Sequence, residues 1–209
     1  SEVQWTQPEH KDFESFARRL DKEFERLDYC GVNACRNFYE VNQAGAWNKS
    51  QQTYEVTLNT FCPDADIYYA VNDSTVNTSS SLYETPIPLD EDATIYSAVY
   101  RSGKPLGKVT RKSFAVNKAT GCDYTCNPEA GWEHLNKGFG LTDGRRGYAR
   151  DMRRWISFYQ DTVQIVVELK KPQKVKEVAF SSLWRPVNEI WPARAMSVSV
   201  SMDGQTFIP

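Results

Sequence analysis

Along the first thirty residues apolar side chains return at Phe13, Phe16, Ala17, Leu20, Phe24 and Leu27. Steps of three and four put them in one stripe on an α-helix. Thr6 can accept from an early backbone N–H while Glu9, three residues on, reaches back, and Pro8 falls in the first turn; together they predict a capping box. Gly31 is placed to end the helix. An isolated helix of this kind gains little from propensity alone, so the stripe needs a partner. Beyond the loop-like stretch 42–52 the period changes. Tyr54, Val56 and Leu58 alternate with Glu55, Thr57 and Asn59, which predicts a strand with one face buried. Tyr69 and Val71 continue the pattern, residues 72–81 form a polar loop, and 94–100 alternate again. Gly103-Lys104-Pro105 makes a turn before a last strand over 108–114. Short strands with turn signals about every ten residues predict a β-sandwich.

From about Ala119 a third piece begins. Residues 162–169, 175–180 and 195–202 read as strands, the last with Met196, Val198, Val200 and Met202 on one face. Asp203-Gly204 is a hairpin turn. A hairpin needs its returning strand, and only Gln205 to Pro209 follow the turn.

Composition narrows the function classes. Lys and Arg number 25 against 27 Asp and Glu, and a nucleic-acid partner, which asks for a clustered basic surface, is not expected. The densest basic run, 145–154, is broken by Gly147, Tyr148 and Asp151 and reads as a solvated loop. No run of about 18 apolar residues predicts a membrane span. Ser1 leads straight into Glu2 and an amphipathic segment, without the pattern of a signal peptide. Cys30, Cys35, Cys62, Cys122 and Cys126 form no C-x-x-C pair, and with only His10 and His134 beside them the spacing argues against zinc. Cys122 and Cys126 could close a small loop in an oxidising compartment; the other reading is reduced, partly buried thiols.

Residues 66–114, DIYYAVNDSTVNTSSSLYETPIPLDEDATIYSAVYRSGKPLGKVTRKSF, carry a resemblance. Their order of strand, Ser/Thr/Asn loop, "LYETPI" turn and strand pair closing on "GKPLG" resembles the small β-sandwich at the C-terminus of bacterial β-N-acetylhexosaminidases of glycoside hydrolase family 20. The opening segment resembles the last helix of that family's catalytic barrel. GLTDGRRG, WISF and SVSMDGQTF resemble a discoidin-type (coagulation factor V/VIII type C) domain. The resemblance implies a mainly β chain with an N-terminal helix, in which an immunoglobulin-like sandwich precedes a discoidin-type jelly-roll. It divides the chain into a barrel remnant, 1–41, a sandwich, 42–118, and an incomplete discoidin-like piece, 119–209. It also implies export to the periplasm or the outer surface.

Family 20 enzymes use an adjacent Asp-Glu pair with the substrate's own N-acetyl group as nucleophile, an exception to the two-carboxylate scheme. Here the only such dipeptide is Asp90-Glu91, in the turn LDEDAT. A general acid needs a pocket that raises its pKa, and three carboxylates in an exposed turn do not provide one. No catalytic residue is assigned, and the fragment by itself is expected to be inactive. Glu2 and Trp5 sit in the helix-like motif, so Trp5 reads as packing. His10 and His134 lack a nucleophile and an orienting acid in a shared motif.

Binding has better candidates. Sugar-binding domains of the discoidin type stack aromatic faces on a pyranose and bond its hydroxyls with Arg and Asn. Trp184, Arg185, Asn188 and Trp191 lie together in SSLWRPVNEIWPAR, with Trp132 and Tyr148 as weaker candidates. The family's pattern before the strand read at 195–202 often has a Trp that fills the barrel end; by that resemblance Trp191 reads rather as structural, and Trp184 stands open between binding and packing. Trp155 in WISF matches a core position. Asp143 in LTDG matches an Asp-Gly turn that helps hold a structural calcium in some relatives, though one carboxylate is far from the six to eight oxygens calcium takes. No other cofactor is expected.

Two functions follow. In the first the chain is the ancillary C-terminal part of a β-N-acetylhexosaminidase, its partners a glycan or chitooligosaccharide and its own catalytic barrel. In the second it is a free-standing carbohydrate- or surface-binding module. The barrel-like opening helix favours the first.

Overall fold

The computed structural model describes residues 6–129, 131, 140–145, 147–150 and 155–209. They form a mainly β chain with one N-terminal α-helix. The chain splits into two units, Ser1–Ala46 with Thr53–Val116, and Trp47–Gln52 with Asn117–Pro209.

Helix α1 spans Phe13–Tyr29. It starts later than the sequence predicts, because Pro8–His10 close a separate 3-10 turn whose flanking Gln7 makes no side-chain cap. The cap is Asp12, whose Oδ1 accepts from the amide of Ser15 at 3.0 Å. That acceptor satisfies one of the orphan N–H groups of the first turn, and the Thr6–Glu9 capping box is replaced by it. The end is as the sequence predicts. Gly31 takes φ +68°, its amide bonds Asp28 O at 3.0 Å, and that of Val32 reaches Leu27 O at 2.9 Å. These two bonds define a Schellman motif, which needs a residue without Cβ strain at the glycine.

The sandwich has two antiparallel sheets. Strands β1 (Asn42–Asn48), β2 (Thr53–Asn59) and β5 (Ile87–Leu89) make the first, in the order β1-β2-β5. The second has the order β4-β3-β6-β7, from β3 (Asp66–Val71), β4 (Ser81–Leu82), β6 (Ala93–Arg101) and β7 (Lys104–Pro105), with β8 (Thr110–Phe114) also on β6. The alternation read along β2 holds, since Tyr54, Val56 and Leu58 are all buried. They share the interior with Ile67, Ile87, Ile95, Val99 and Phe114. The β6–β7 turn uses Ser102 and Gly103, both at positive φ, as a two-residue hairpin linking the Arg101↔Lys104 pair requires.

Two features of the sandwich depart from simple alternation. Gln43 on β1 is buried among apolar neighbours, and its Nε2 donates to Ser97 Oγ at 2.8 Å and to Thr110 O at 3.2 Å. A buried amide is tolerated where such acceptors meet it. Strand β6 is buried at four consecutive positions, Ser97 to Tyr100, because its second face is also covered. The polar 72–81 loop folds back and places Val76 on Ala98 and Tyr100, beside Tyr68, Ala70 and Tyr96. The Tyr100 hydroxyl donates to Val76 O at 2.9 Å.

In the second unit β9 (Asp123–Asn127) pairs antiparallel with β10 (Gln164–Glu168), so the strand read at 162–169 forms. The strands read at 175–180 and 195–202 do not. Among the described residues those segments carry no ladder, only the isolated bridge Val200↔Ile208. Alternation prepares a face, but a strand exists only when a neighbour takes its backbone groups. Met196, Val198, Val200 and Met202 are accordingly exposed. The Asp203-Gly204 turn does form. Asp203 Oδ1 accepts from the amides of Gln205 and Thr206, at 2.9 and 2.8 Å, and these bonds hold its carboxyl well below the usual carboxylate range. Trp47 is anchored in this unit, its ring against the Cα of Gly121 and under Lys170 Nζ at 4.8 Å. Cys122 and Cys126 are free thiols four residues apart along one extended segment. That spacing corresponds to about 13 Å, outside the reach of a disulfide.

Candidate functional site

The sequence-nominated loop is a tight turn. Arg185 and Ile190 exchange two backbone bonds, N to O at 3.0 and 3.2 Å. Between them Pro186–Asn188 make a 3-10 turn that ends at Glu189 in the left-handed region. Pro186 presets the turn's φ, and the amide of Asn188 bonds back to Arg185 O at 3.0 Å.

The bridge decides which nominated residues share a surface. Side chains alternate across a strand pair, and exposure here follows that rule. Leu183 is buried and Arg185 and Ile190 are half-buried, whereas Trp184 and Trp191 are 68% and 69% exposed. The two tryptophans therefore flank the bridge on its outward side, with the exposed Val187 at the tip. Arg185 belongs to the inward side with Leu183. Asn188 is exposed in the 3-10 turn. Trp184 and Trp191 are thus both exposed, one on each arm of the turn, while Arg185 is half-buried. Neither tryptophan fills a core in the described structure. Sequence reasoning missed Val187, the most exposed apolar residue of the turn; the alternation outward from Arg185 and Ile190 was the signal, once the closing pair is known.

The remaining candidates are dispersed. Tyr148 is exposed; its carbonyl accepts from the indole Nε1 of Trp155 at 3.1 Å. The Trp155 ring also lies against Gly147, where a Cβ would meet it at 2.4 Å, so Trp155 packs. Asp143 spends its two oxygens on the turn, Oδ2 accepting from Gly140 N at 3.0 Å and Oδ1 from Arg145 N at 2.9 Å. Among the described residues no group of three or more His, Cys, Asp or Glu is gathered to hold a metal ion. Asp90, Glu91 and Asp92 are exposed between β5 and β6, and Asp92 Oδ1 accepts from Val116 N at 2.8 Å. Glu2, Trp5, Trp132 and His134 lie outside the described residues. No described helix is long and apolar enough to cross a membrane.

A polar cluster fixes α1 in the first unit. Arg101 on β6 donates to Asp21 Oδ2 at 2.8 Å, to Cys62 Sγ at 3.0 Å and to Pro63 O at 2.7 Å. Tyr39 donates to the other oxygen of Asp21 at 2.8 Å. Burial, reinforced by the Asp21 carboxylate, pushes the Tyr39 phenol well above its ordinary range, and burial also raises the Cys62 thiol. Such a thiol is a hydrogen-bond acceptor here and a poor nucleophile. The hollows beside α1, lined by Phe13, Ala17, Phe61 and Cys62 or by Asp12, Arg18 and Lys22, are shallow. They gather no acid and base around a reacting position.

Residues 42–111 match the family model of the chitobiase/beta-hexosaminidase C-terminal domain. The matched segment runs from the first residue of β1 into β8, which is the sandwich built above. The match supports reading the chain as the C-terminal region of a hexosaminidase, set in a glycan context and attached to a catalytic domain. No curated protein matches the chain.

Proposed function

We propose that this chain is the ancillary, non-catalytic C-terminal part of a β-N-acetylhexosaminidase of glycoside hydrolase family 20. The whole enzyme would remove terminal N-acetylhexosamine from glycans or chitooligosaccharides. The observation that carries the reading is the match of residues 42–111, which runs from β1 to the start of β8 and so covers most of the sandwich. The helix α1 packed on that unit supports it, since the resemblance makes α1 the last helix of a catalytic barrel. On this reading the sandwich braces the barrel through α1, the protein works in the periplasm or at the outer surface, and catalysis lies in the preceding chain. Residues 119–209 are a discoidin-like piece that touches glycan through Trp184 and Trp191. No cofactor is required, and a calcium ion at the Asp143 turn would be structural.

A second reading, a free-standing carbohydrate- or surface-binding module, is favoured by the exposed Trp184 and Trp191, which need no catalytic domain to meet a sugar. The coding sequence ahead of Ser1 separates the two. A barrel containing a His-Gly-Gly-Asp-Glu-like segment supports the enzyme; a signal peptide directly before Ser1 supports the free module.

A further inference from the structure

Helix α1 is attached by little. Of its seventeen residues only Ala17 and Phe24 are buried. Phe24 is covered by Phe38 and Tyr39, with ring centroids at 5.8 and 5.3 Å, and by the Arg36 guanidinium at 4.5 Å. Phe16, Leu20 and Leu27 are half-covered, and Phe13 at the head of the helix is 58% exposed, touching Phe61 edge-on. Beyond this thin apolar contact the helix is held by two ion pairs at the surface, Arg18 with Asp64 and Asp28 with Arg36, and by one more buried polar contact. The Asp21 carboxylate, 16% exposed, is held on one oxygen by Arg101 and on the other by Tyr39. Arg101 is itself fixed in β6 by its pairing with Lys104. Its second nitrogen closes on Cys62 of the β2–β3 loop, which is 5% exposed and lies beside α1.

We infer that α1 is a strap over Cys62, closed by the Asp21–Tyr39–Arg101 latch, that opens independently of the sandwich. Elements with few buried apolar contacts are those that open below the free energy of global unfolding. The two sides differ in that respect: β6 is buried on both faces, whereas α1 spends two buried side chains and side-chain bonds to four partners, Arg101, Tyr39, Asp64 and Arg36. Opening parts the carboxylate on the helix from the arginine and tyrosine on the sandwich side, and it uncovers the thiol. A seventeen-residue helix without a partner is marginal in water, so the opened strap loses helical order as well. This inference rests on the first unit alone and concerns residues 1–209 by themselves; in the enzyme proposed above the barrel would be a second partner of the helix.

The test uses the unmodified chain. Alkylation of Cys62 by N-ethylmaleimide is followed by peptide-resolved mass spectrometry over a range of urea below the unfolding transition, beside hydrogen exchange of α1 and β6 amides. The strap predicts that Cys62 reacts, and α1 amides exchange, through one common opening whose urea dependence is much weaker than that of the β6 amides. Arg101→Met should speed Cys62 alkylation at least tenfold while β6 stays protected. Should that variant not fold, Tyr39→Phe removes one arm of the latch and should speed it severalfold. Alkylation that follows the steep urea dependence of β6 would overturn the inference, as would a reactive Cys62 under α1 amides that remain protected.

Discussion

Replacing Tyr100 by Phe removes one oxygen atom, and with it the tie that holds the 72–81 loop on the sandwich. The phenol donates to Val76 O at 2.9 Å, with Tyr100 7% and Val76 9% exposed. The ring itself stays where it is, edge-on to Tyr68 at 5.3 Å, so little apolar contact is lost. What is lost is the bond, and what remains is a buried carbonyl with no donor from the tyrosine. A buried group left unsatisfied in this way costs about 1 to 3 kcal/mol. For a domain of 60 to 100 residues each kcal/mol lowers Tm by about 4 to 8 °C, which makes a fall of about 8 to 16 °C for a central value of about 2 kcal/mol. Val76→Ala removes apolar contact but keeps the backbone acceptor, at a cost of about 1 to 2 kcal/mol by the same transfer logic. Because both act on one contact, the double variant should cost less than the sum. Thermal melts give the magnitudes, and hydrogen exchange locates them: residues 73–81 should lose protection while β2 and β5 keep theirs. A Tyr100→Phe variant within 0.3 kcal/mol of the parent, or one that melts earlier without loosening the loop, would refute the reasoning.

Three further outcomes are expected. Gly45→Ala places a Cβ 2.2 Å from Tyr54 Oη and 2.8 Å from the Phe114 ring, so denaturant melts should show the 1 to 3 kcal/mol loss typical of overpacking, about 2 kcal/mol; an unchanged midpoint would mean that the core is looser than described. Tyr39 is kept protonated by burial and by Asp21 above its unfolded value of 10.0, so its contribution is whole below pH 10 and falls as pH rises beyond it. The loss is about 1.4 kcal/mol per pH unit for one proton, and urea melts at pH 9 and 11 should show that part of the alkaline loss missing from Tyr39→Phe. Trp184→Ala should leave the melt within about 0.5 kcal/mol, as for an exposed side chain, and abolish a weak, roughly millimolar glycan contact seen by NMR titration; a loss of 3 kcal/mol or more would make the residue part of a core.

Much of the first unit was legible because its signals are local. Tyr54, Val56 and Leu58 alternate because one face of β2 is buried, and Gly31 ends α1 because a Schellman motif needs that backbone. The helix start was misread because Pro8 and Glu9 also suit a 3-10 turn, and nothing in Thr6 or Asp12 says which of them the first α-helical amide will find. Val76 was invisible in a run of Ser, Thr and Asn, since one apolar residue has no period. The second unit was legible as pattern and not as pairing. Met196 to Met202 alternate as a strand should, yet sequence cannot supply the neighbour that a ladder needs. The same limit applies to the turn at Trp184: residue types nominated it, but only the Arg185↔Ile190 bridge sets both tryptophans outward and Arg185 on the other side.

The central claim is that the chain serves a hexosaminidase whose chemistry lies elsewhere in the same polypeptide. It is tested most directly by assaying the product of the whole reading frame, beside residues 1–209 alone, on an aryl N-acetyl-β-glucosaminide. Turnover by the whole product is expected, with none above background by residues 1–209. A whole product that leaves the substrate intact would contradict the claim, as would turnover from residues 1–209 that disappears in Glu91→Gln.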